Sequence, residues 1–519
     1  MRAGIDAPPW LLRLAPVAIV GAFALGMIAI LTTGHIRLIG ISLAGTAFLV
    51  AAFLSGNLRL ACLWGLILTL PLSVGLRFSQ HLDRGGGETA IRIELCELFV
   101  LALLGMLIYD VCTGAIPRVR VPKFLIFWIA IMLMGTATAA MGDFRWVAGI
   151  EVIRMFKVLV LFLVICNELR RRRQIFHAAM AIVVSMMIQA LIGVLQYVRG
   201  ANLGLEILGE SPPDTTQILA ETSIYGQEVW RVSGLVMHPN LFGIFLGALL
   251  PLSIGLFLVR DRGVARLLYL TATAAGMISL VATYSRSAWI SFTVAIGVML
   301  ALLVSHTELR RRILVPTVLA IICLTALSAL FTDRIASRLF ESKIQATTGR
   351  ELFKQDARNL IGERPLFGFG LNSYVDVVLE YSDFTRRTYP EWIPPVHHIY
   401  YLWWAETGII GLLLHLAVVA SIVLIALTNL RLRDPTMLTI NVACLVGILA
   451  FMIDGFLSFP LRTSPLLRLF WLLAGIIVAL YYWRLSSARG DAQPESPHDL
   501  TPSAVSRFGG NEPWRPDQT

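Results

Sequence analysis

The sequence predicts an all-α polytopic membrane protein, and three observations carry that prediction. Apolar runs of about 18 residues or more recur from end to end, each long enough to cross a hydrocarbon core of roughly 30 Å. Of the 519 residues, 57% are hydrophobic and 15% charged, against roughly 45–50% and 25% in soluble domains, and the mean hydropathy is +0.74. The runs are continuously apolar and do not alternate. They therefore read as helices, which satisfy their own backbone in lipid, and not as barrel strands.

About 14 spans follow from hydropathy. They cover roughly 15–32, 38–55, 59–76, 93–111, 124–141, 150–167, 175–198, 240–259, 267–284, 288–305, 313–331, 399–427, 438–457 and 466–483. The first run follows Arg2 and Arg13 and lacks a good small-residue cleavage site, and more spans come at once after it. It reads as a membrane helix and not as a signal peptide. The 399–427 run leaves room for an interfacial turn before the span proper. Basic clusters at Arg118/Arg120/Lys123, Arg170–Arg173, Arg260/Arg262/Arg266, Arg310–Arg312 and Arg431/Arg433 all follow even-numbered spans. The positive-inside rule then makes those loops and both termini cytoplasmic.

The two long loops, 199–239 and 332–398, are then outward-facing. The first contains Pro212-Pro213-Asp214 and ends at His238-Pro239-Asn240, where His238 reads as a loop or helix-start residue. In the second, Thr348-Gly349-Arg350-Glu351 fits a capping box. Leu352, Phe353, Ala357, Leu360 and Ile361 make one apolar helical face. Gly362 and Pro365 stop that helix, and Gly368-Phe369-Gly370 forms a turn. The loop is expected to be a small helical lid. Residues 1–484 form one membrane domain, and 485–519, rich in Pro, Ser, Asp and Gly, a disordered cytoplasmic tail.

The net charge of +10 is accounted for by topology, so nucleic acid is not expected as a partner. Six cysteines lie in or beside spans without metal-ligand spacing or a disulfide framework. Ionisable groups within spans are functional candidates. Glu94 and Glu97 share one face, as do Arg154 and Lys157, and Asp454 sits late in its span. Either they pair with one another or with interfacial water, or they form a carrier's proton relay. Arg286, in the short turn between the ninth and tenth spans, and Arg231, in the first long loop, approach the same outer boundary. Together they suit a diphosphate clamp, because guanidinium matches phosphate oxygens; separately they would snorkel to lipid headgroups. There is no Walker loop, no DxD pair and no HExxH motif. Neither a metal nor another cofactor is expected.

Four segments in order carry a resemblance: RVSGLVMHPNLFGIFLGALLPL from Arg231, TYSRSAWI from Thr283, GRELFKQDARNLIGERPLFGFGLNSY from Gly349 and HHIYYLWWAETGIIG from His397. Together they resemble the O-antigen ligase/polymerase superfamily of bacterial membrane glycosyltransferases, most strongly over 225–485. The resemblance implies a C-type glycosyltransferase fold in which a periplasmic loop caps a membrane cavity. It implies transfer of a glycan from a polyprenyl-diphosphate carrier to an acceptor sugar hydroxyl, inverting and metal-independent, at the outer face of the bacterial inner membrane. The partners are the lipid-linked donor, a glycan or lipid-linked acceptor and the bilayer. The family's His-Asn-x-x-Leu…Glu-x-Gly pattern, counted back nine residues from Glu406, reaches His397 as the catalytic base. His398 stands where the family usually has asparagine, so both histidines stay candidates. Arg231, Arg286 and Arg350 match diphosphate-binding arginines, although the capping turn gives Arg350 a structural role as well. Glu406 is a possible secondary site residue. Trp403 and Trp404 are expected to anchor the helix at the interface. Polymerase, ligase and protein glycosylation are not separated, and the span count leans toward polymerase. A lipid-linked sugar flippase or other carrier is the rival, and a structural partner of an assembly complex the third possibility.

Overall fold

The structure is a computed structural model that describes residues 57–78, 90–116, 118–141, 145–211, 221–224, 227–259, 263–305, 310, 344–382, 385 and 395–488. Helix α1 (Leu58–Thr69) opens with Asn57 accepting from the Leu60 amide at 3.0 Å, the usual N-cap arrangement. A hairpin of β1 (Gly75–Phe78) and β2 (Ile91–Glu94) follows, antiparallel, with Gly75 opposite Glu94. Then come α2 (Leu95–Cys112), α3 (Leu125–Met141), α4 (Arg145–Glu168) and α5 (Arg172–Arg199). A second antiparallel hairpin, β3 (Glu221–Ile224) and β4 (Gln227–Trp230), precedes α6 (Pro239–Val259), α7 (Val264–Ala282) and α8 (Arg286–Val304). The lid contributes α9 (Ile344–Glu363) and α10 (Tyr374–Tyr381), and α11 (Ile399–Thr428), α12 (Pro435–Asp454) and α13 (Ser464–Ala488) complete the bundle.

Every predicted span that falls on described residues coincides with a helix. Among the described residues, eight helices, α2, α5, α6, α7, α8, α11, α12 and α13, are long and apolar enough to cross a membrane. The predicted runs 15–32, 38–55 and 313–331 lie outside the described residues, as does the tail from 489. Three boundaries differ from expectation. The 59–76 run is only partly helical, because Pro71 ends α1 and the chain turns into β1. The lid helix begins at Ile344 and not at Thr348, so Arg350 lies within it and not in a capping turn; it ends at Glu363, between Gly362 and Pro365. Helix α13 continues past Arg484 to Ala488.

Helices α6, α12 and α13 are buried nearly all round. Trp471 of α13 is fully buried and meets Trp128 and Phe162 edge-on at 4.7 and 5.3 Å, a geometry aromatic quadrupoles favour. Among the described residues, three ion pairs lie inside the bundle. Lys157 meets Glu97 at 2.5 Å, Arg468 meets Glu94, and Arg154 grips Glu151 one turn earlier at 2.6 Å. The Glu94/Glu97 face of α2 is therefore neutralised from α4 and α13.

The lid has an apolar core of its own. Ala357, Leu360 and Ile361 of α9 pack with Tyr374, Val375, Val377 and Val378 of α10 and with Ile399, Leu402 and Ala405 of α11. Phe353 joins the buried face. Leu352, expected on that face, is exposed.

Candidate active site

The site is built where helices begin. Helix α11 is not continuous: Gly408 interrupts it at φ 65° and ψ −176°. The stub 399–407 is thereby cut from the long apolar part, which is the interfacial turn the sequence allowed for. Segment 365–370 of the lid docks into the break. Phe369 and Gly370 amides donate to the Ala405 and Glu406 carbonyls at 3.1 and 2.8 Å, and the Ile409 amide donates to the Pro365 carbonyl at 2.8 Å. A Cβ at Gly408 would overlap the Leu366 carbonyl, and one at Gly368 would overlap Glu406. Both glycines also have positive φ, so close approach and backbone conformation select the same residue type.

His397 ends the lid just before this stub. Its ring stacks near Phe353 at 6.5 Å and takes the edge of Phe459 at 5.1 Å. Burial first, and then the Arg350 charge, push its pKa down to about 4. The Pro395 carbonyl opposes this shift, but no hydrogen bond of good geometry reaches the buried Nδ1. His398 is engaged differently. It is the N-cap of α11, its Nδ1 accepts from the Tyr401 amide at 3.3 Å, and its ring stacks on Tyr401 at 4.3 Å.

The arginines converge on the same place. Arg350 is held below its ordinary pKa by burial and by Arg286, with Asp454 opposing. Burial pushes His238 down to about 3, and the charges of Arg231 and His397 add to the shift. Electrostatic neighbours thus run Arg231–His238–His397–Arg350–Arg286. His238 immediately precedes α6, Arg286 is the first residue of α8, and His397 precedes the cap of α11. Each of these three residues stands at a helix N-terminus, which carries about +0.5 of an elementary charge and favours anions. A cation in a helix's first turn opposes the dipole, so Arg286 is placed at an electrostatic cost that an anion would relieve.

Arg231 is more constrained than the sequence suggested. It is buried, its Nε donates to the Thr283 carbonyl at 2.8 Å and its Nη2 to Asn240 Oδ1 at 2.5 Å. It ties the loop before α6 to the α7–α8 turn. Two non-glycine residues with positive φ flank these motifs, Met237 beside His238 and Tyr284 two before Arg286, the kind of strain that persists where surrounding structure enforces it. Among the described residues neither Arg286 nor Arg350 makes a salt bridge.

Glu406 is placed elsewhere. It is buried and gripped by Arg462 through two contacts of 3.0 Å, and it accepts from the Tyr374 amide at 3.3 Å. This carboxylate serves the joint between lid and helix. The tryptophans also differ from expectation. Trp403 stacks on His415 at 4.3 Å inside the bundle, and Trp404 Nε1 donates to the Pro365 carbonyl at 3.1 Å, so it tethers the lid.

Sequence reasoning named two further residues, His238 and Asp454, without grouping them with His397 and the arginines. His238 accepts from the Asn240 amide at 3.0 Å, as a helix-start residue would, but it also lies between Arg231 and His397. Asp454, the last residue of α12, is buried beside Arg350, Ser287 and Ser458, yet neither carboxylate oxygen has a well-formed hydrogen bond. Topology carried the signal for Asp454: the thirteenth span ends on the face where the eighth, tenth and twelfth begin. Among the described residues no three His, Cys, Asp or Glu side chains are grouped as metal ligands.

Residues 270–416 match a family described as O-antigen ligase. Over those residues the match supports the resemblance to the O-antigen ligase/polymerase superfamily. The matched segment runs from α7 through the lid into α11 and contains Arg286, Arg350, His397, His398 and Glu406, whereas Arg231, His238, Asp454 and Arg462 lie outside it. No curated protein matches the chain. That family is one of membrane enzymes of glycosyltransferase type, which the apolar helices of this chain fit.

Proposed function

We propose that this protein transfers a glycan from a polyprenyl-diphosphate carrier to an acceptor sugar hydroxyl at the outer face of the bacterial inner membrane. It acts as a polysaccharide or O-antigen polymerase or as an O-antigen ligase, with inversion at the anomeric carbon. The observation that supports the reading is that Arg231, His238, His397, Arg350 and Arg286 are electrostatic neighbours in turn, with His238, Arg286 and His397 at helix starts.

A sugar hydroxyl is a weak nucleophile, so a base must take its proton as it attacks. Burial and the Arg350 charge lower the His397 pKa to about 4, which leaves the imidazole neutral at pH 7. A bound diphosphate would offset the Arg350 charge and make the imidazole a stronger base when it is needed. The acceptor oxygen forms its bond to the anomeric carbon while the bond from that carbon to the diphosphate oxygen breaks. The hydroxyl proton goes to His397, and the electron pair of the broken bond goes to the leaving diphosphate. Arg286, Arg350 and the helix N-termini stabilise that growing charge, and Arg231 holds the loop beside them.

The carrier reading drew on charges within the spans. Those of Glu94, Glu97, Arg154 and Lys157 are accounted for by ion pairs, which favours the enzyme. The test is transfer by the purified protein from polyprenyl-diphosphate glycan. A lipid-linked repeat unit offered as acceptor reports polymerase activity, and a lipid A core reports ligase activity. Redistribution of the lipid-linked sugar across a bilayer without a new glycosidic bond would support the carrier instead.

A further inference from the structure

We infer that Arg462 is the positioning residue for His397, acting through a guanidinium clamp that joins the lid, the helix stub and the α12–α13 turn. The inference rests on the reading of His397 as the base. Arg462 closes the short 3-10 turn Pro460–Arg462 and is buried. Its Nη1 and Nη2 meet the two oxygens of Glu406 at 3.0 Å each, and Nη2 also donates to Asn372 Oδ1 at 2.6 Å. Asn372, which has a positive φ, donates through Nδ2 to the Val147 carbonyl at 3.0 Å. The Arg462 carbonyl accepts from Arg154 Nη1 at 2.6 Å, and Arg154 holds Glu151 at 2.9 and 2.6 Å. The clamp is therefore anchored to α4.

The clamp bears on the imidazole from two sides. Glu406 lies on the stub 399–407, which starts two residues after His397. The Gly408 break stops the rest of α11 from fixing that stub, so its angle depends on the lid contacts and on Arg462. From the other side, the Arg462 amide donates to the Phe459 carbonyl at 3.0 Å, and the Phe459 ring meets His397 edge-on at 5.1 Å. The same turn accepts the first amide of the stub, Ile399, at the Gly455 and Ser458 carbonyls at 2.8 and 3.1 Å. A lysine would keep the charge but could not reproduce this planar three-acceptor fork.

The test uses the full-length protein with a polyprenyl-diphosphate glycan donor, and measures kcat, donor KM and unfolding temperature. Arg462→Lys is expected to lower kcat about tenfold or more with donor KM within about threefold of wild type, because a displacement near 1 Å costs on the order of a hundredfold. Arg462→Met combined with Glu406→Leu removes both charges, a change that buried ion pairs often tolerate in stability. In that double variant the unfolding temperature is expected to recover while kcat stays about a hundredfold low. Recovery of kcat along with stability, or a wild-type kcat in Arg462→Lys, would overturn the inference; should the double variant fail to fold, Arg462→Lys alone decides. If the wild-type protein gives no product, the functional reading and this inference fall together. Wild-type transfer with unimpaired Arg462 variants removes this inference alone.

Discussion

Two clusters of arginine, histidine and carboxylate lie close together in this molecule, and they are built on opposite principles. Around Arg462, Glu406, Arg154 and Glu151, the guanidinium groups face carboxylates at 2.6–3.0 Å, and backbone or amide groups take further contacts. Around His397, the cations Arg286 and Arg350 lack salt bridges among the described residues, Asp454 has no well-formed hydrogen bond, and three helix N-termini add positive potential. Buried charges that satisfy each other make a joint. Half-buried cations without salt bridges, with like signs adjacent, make a place for something else. Composition does not separate the two clusters; the partner of each group does.

The largest break in that comparison should come from His397→Ala. General base catalysis contributes about 10²–10⁴ in rate, so transfer is expected to fall by that factor while donor binding persists. Full activity in this variant would remove His397 as the base. Next come Arg286→Ala and Arg350→Ala, each expected to lower kcat/KM about a hundredfold by removing a stabiliser of the leaving group, with unfolding temperatures near wild type. A matching loss of thermal stability in both would move them from the ligand site to the joint.

The reverse test is Glu406→Gln. Removing one charge from a buried pair costs about 3–5 kcal/mol, so thermal unfolding in detergent should fall clearly, and an unchanged transition would contradict the joint.

The pH response follows from the lowered histidines. His397 and His238 titrate near 4 and 3 in the fold, against about 6.5 when free. Both are folded in the neutral form, so their contribution to stability is complete above about 6.5 and is lost as pH falls through about 4 and 3. The acid limb of kcat/KM should therefore lie well below pH 6.5, and that of kcat higher, once a diphosphate offsets Arg350. A kcat/KM limb at or above 6.5 would show that burial does not control this imidazole. The smallest effect is expected for His398→Asn. Asparagine keeps the N-cap of α11, so transfer should change by less than about threefold, whereas a loss as large as that of His397→Ala would exchange the two histidines' roles.

Much of this was legible in the sequence for one physical reason. In lipid, a continuous apolar run of sufficient length has few structures open to it other than a helix, and the run states its own position. Hence the predicted spans found their helices wherever the residues are described. The lid helix was legible from its periodicity, and its stop from the backbone limits of Gly362 and Pro365, although Ile344 as its start was not. The motifs drew Arg231, Arg286, Arg350 and His397 into view.

Roles within the site required contacts between segments far apart in sequence. Only the fold placed His238 beside His397, brought Asp454 beneath Arg350, made His398 a cap and handed Glu406 to Arg462. Hydropathy and local pattern determine which segments become helices. Whether a buried charge supports the structure or awaits a ligand depends on what stands opposite it, and that is decided by the packing of one helix end against another.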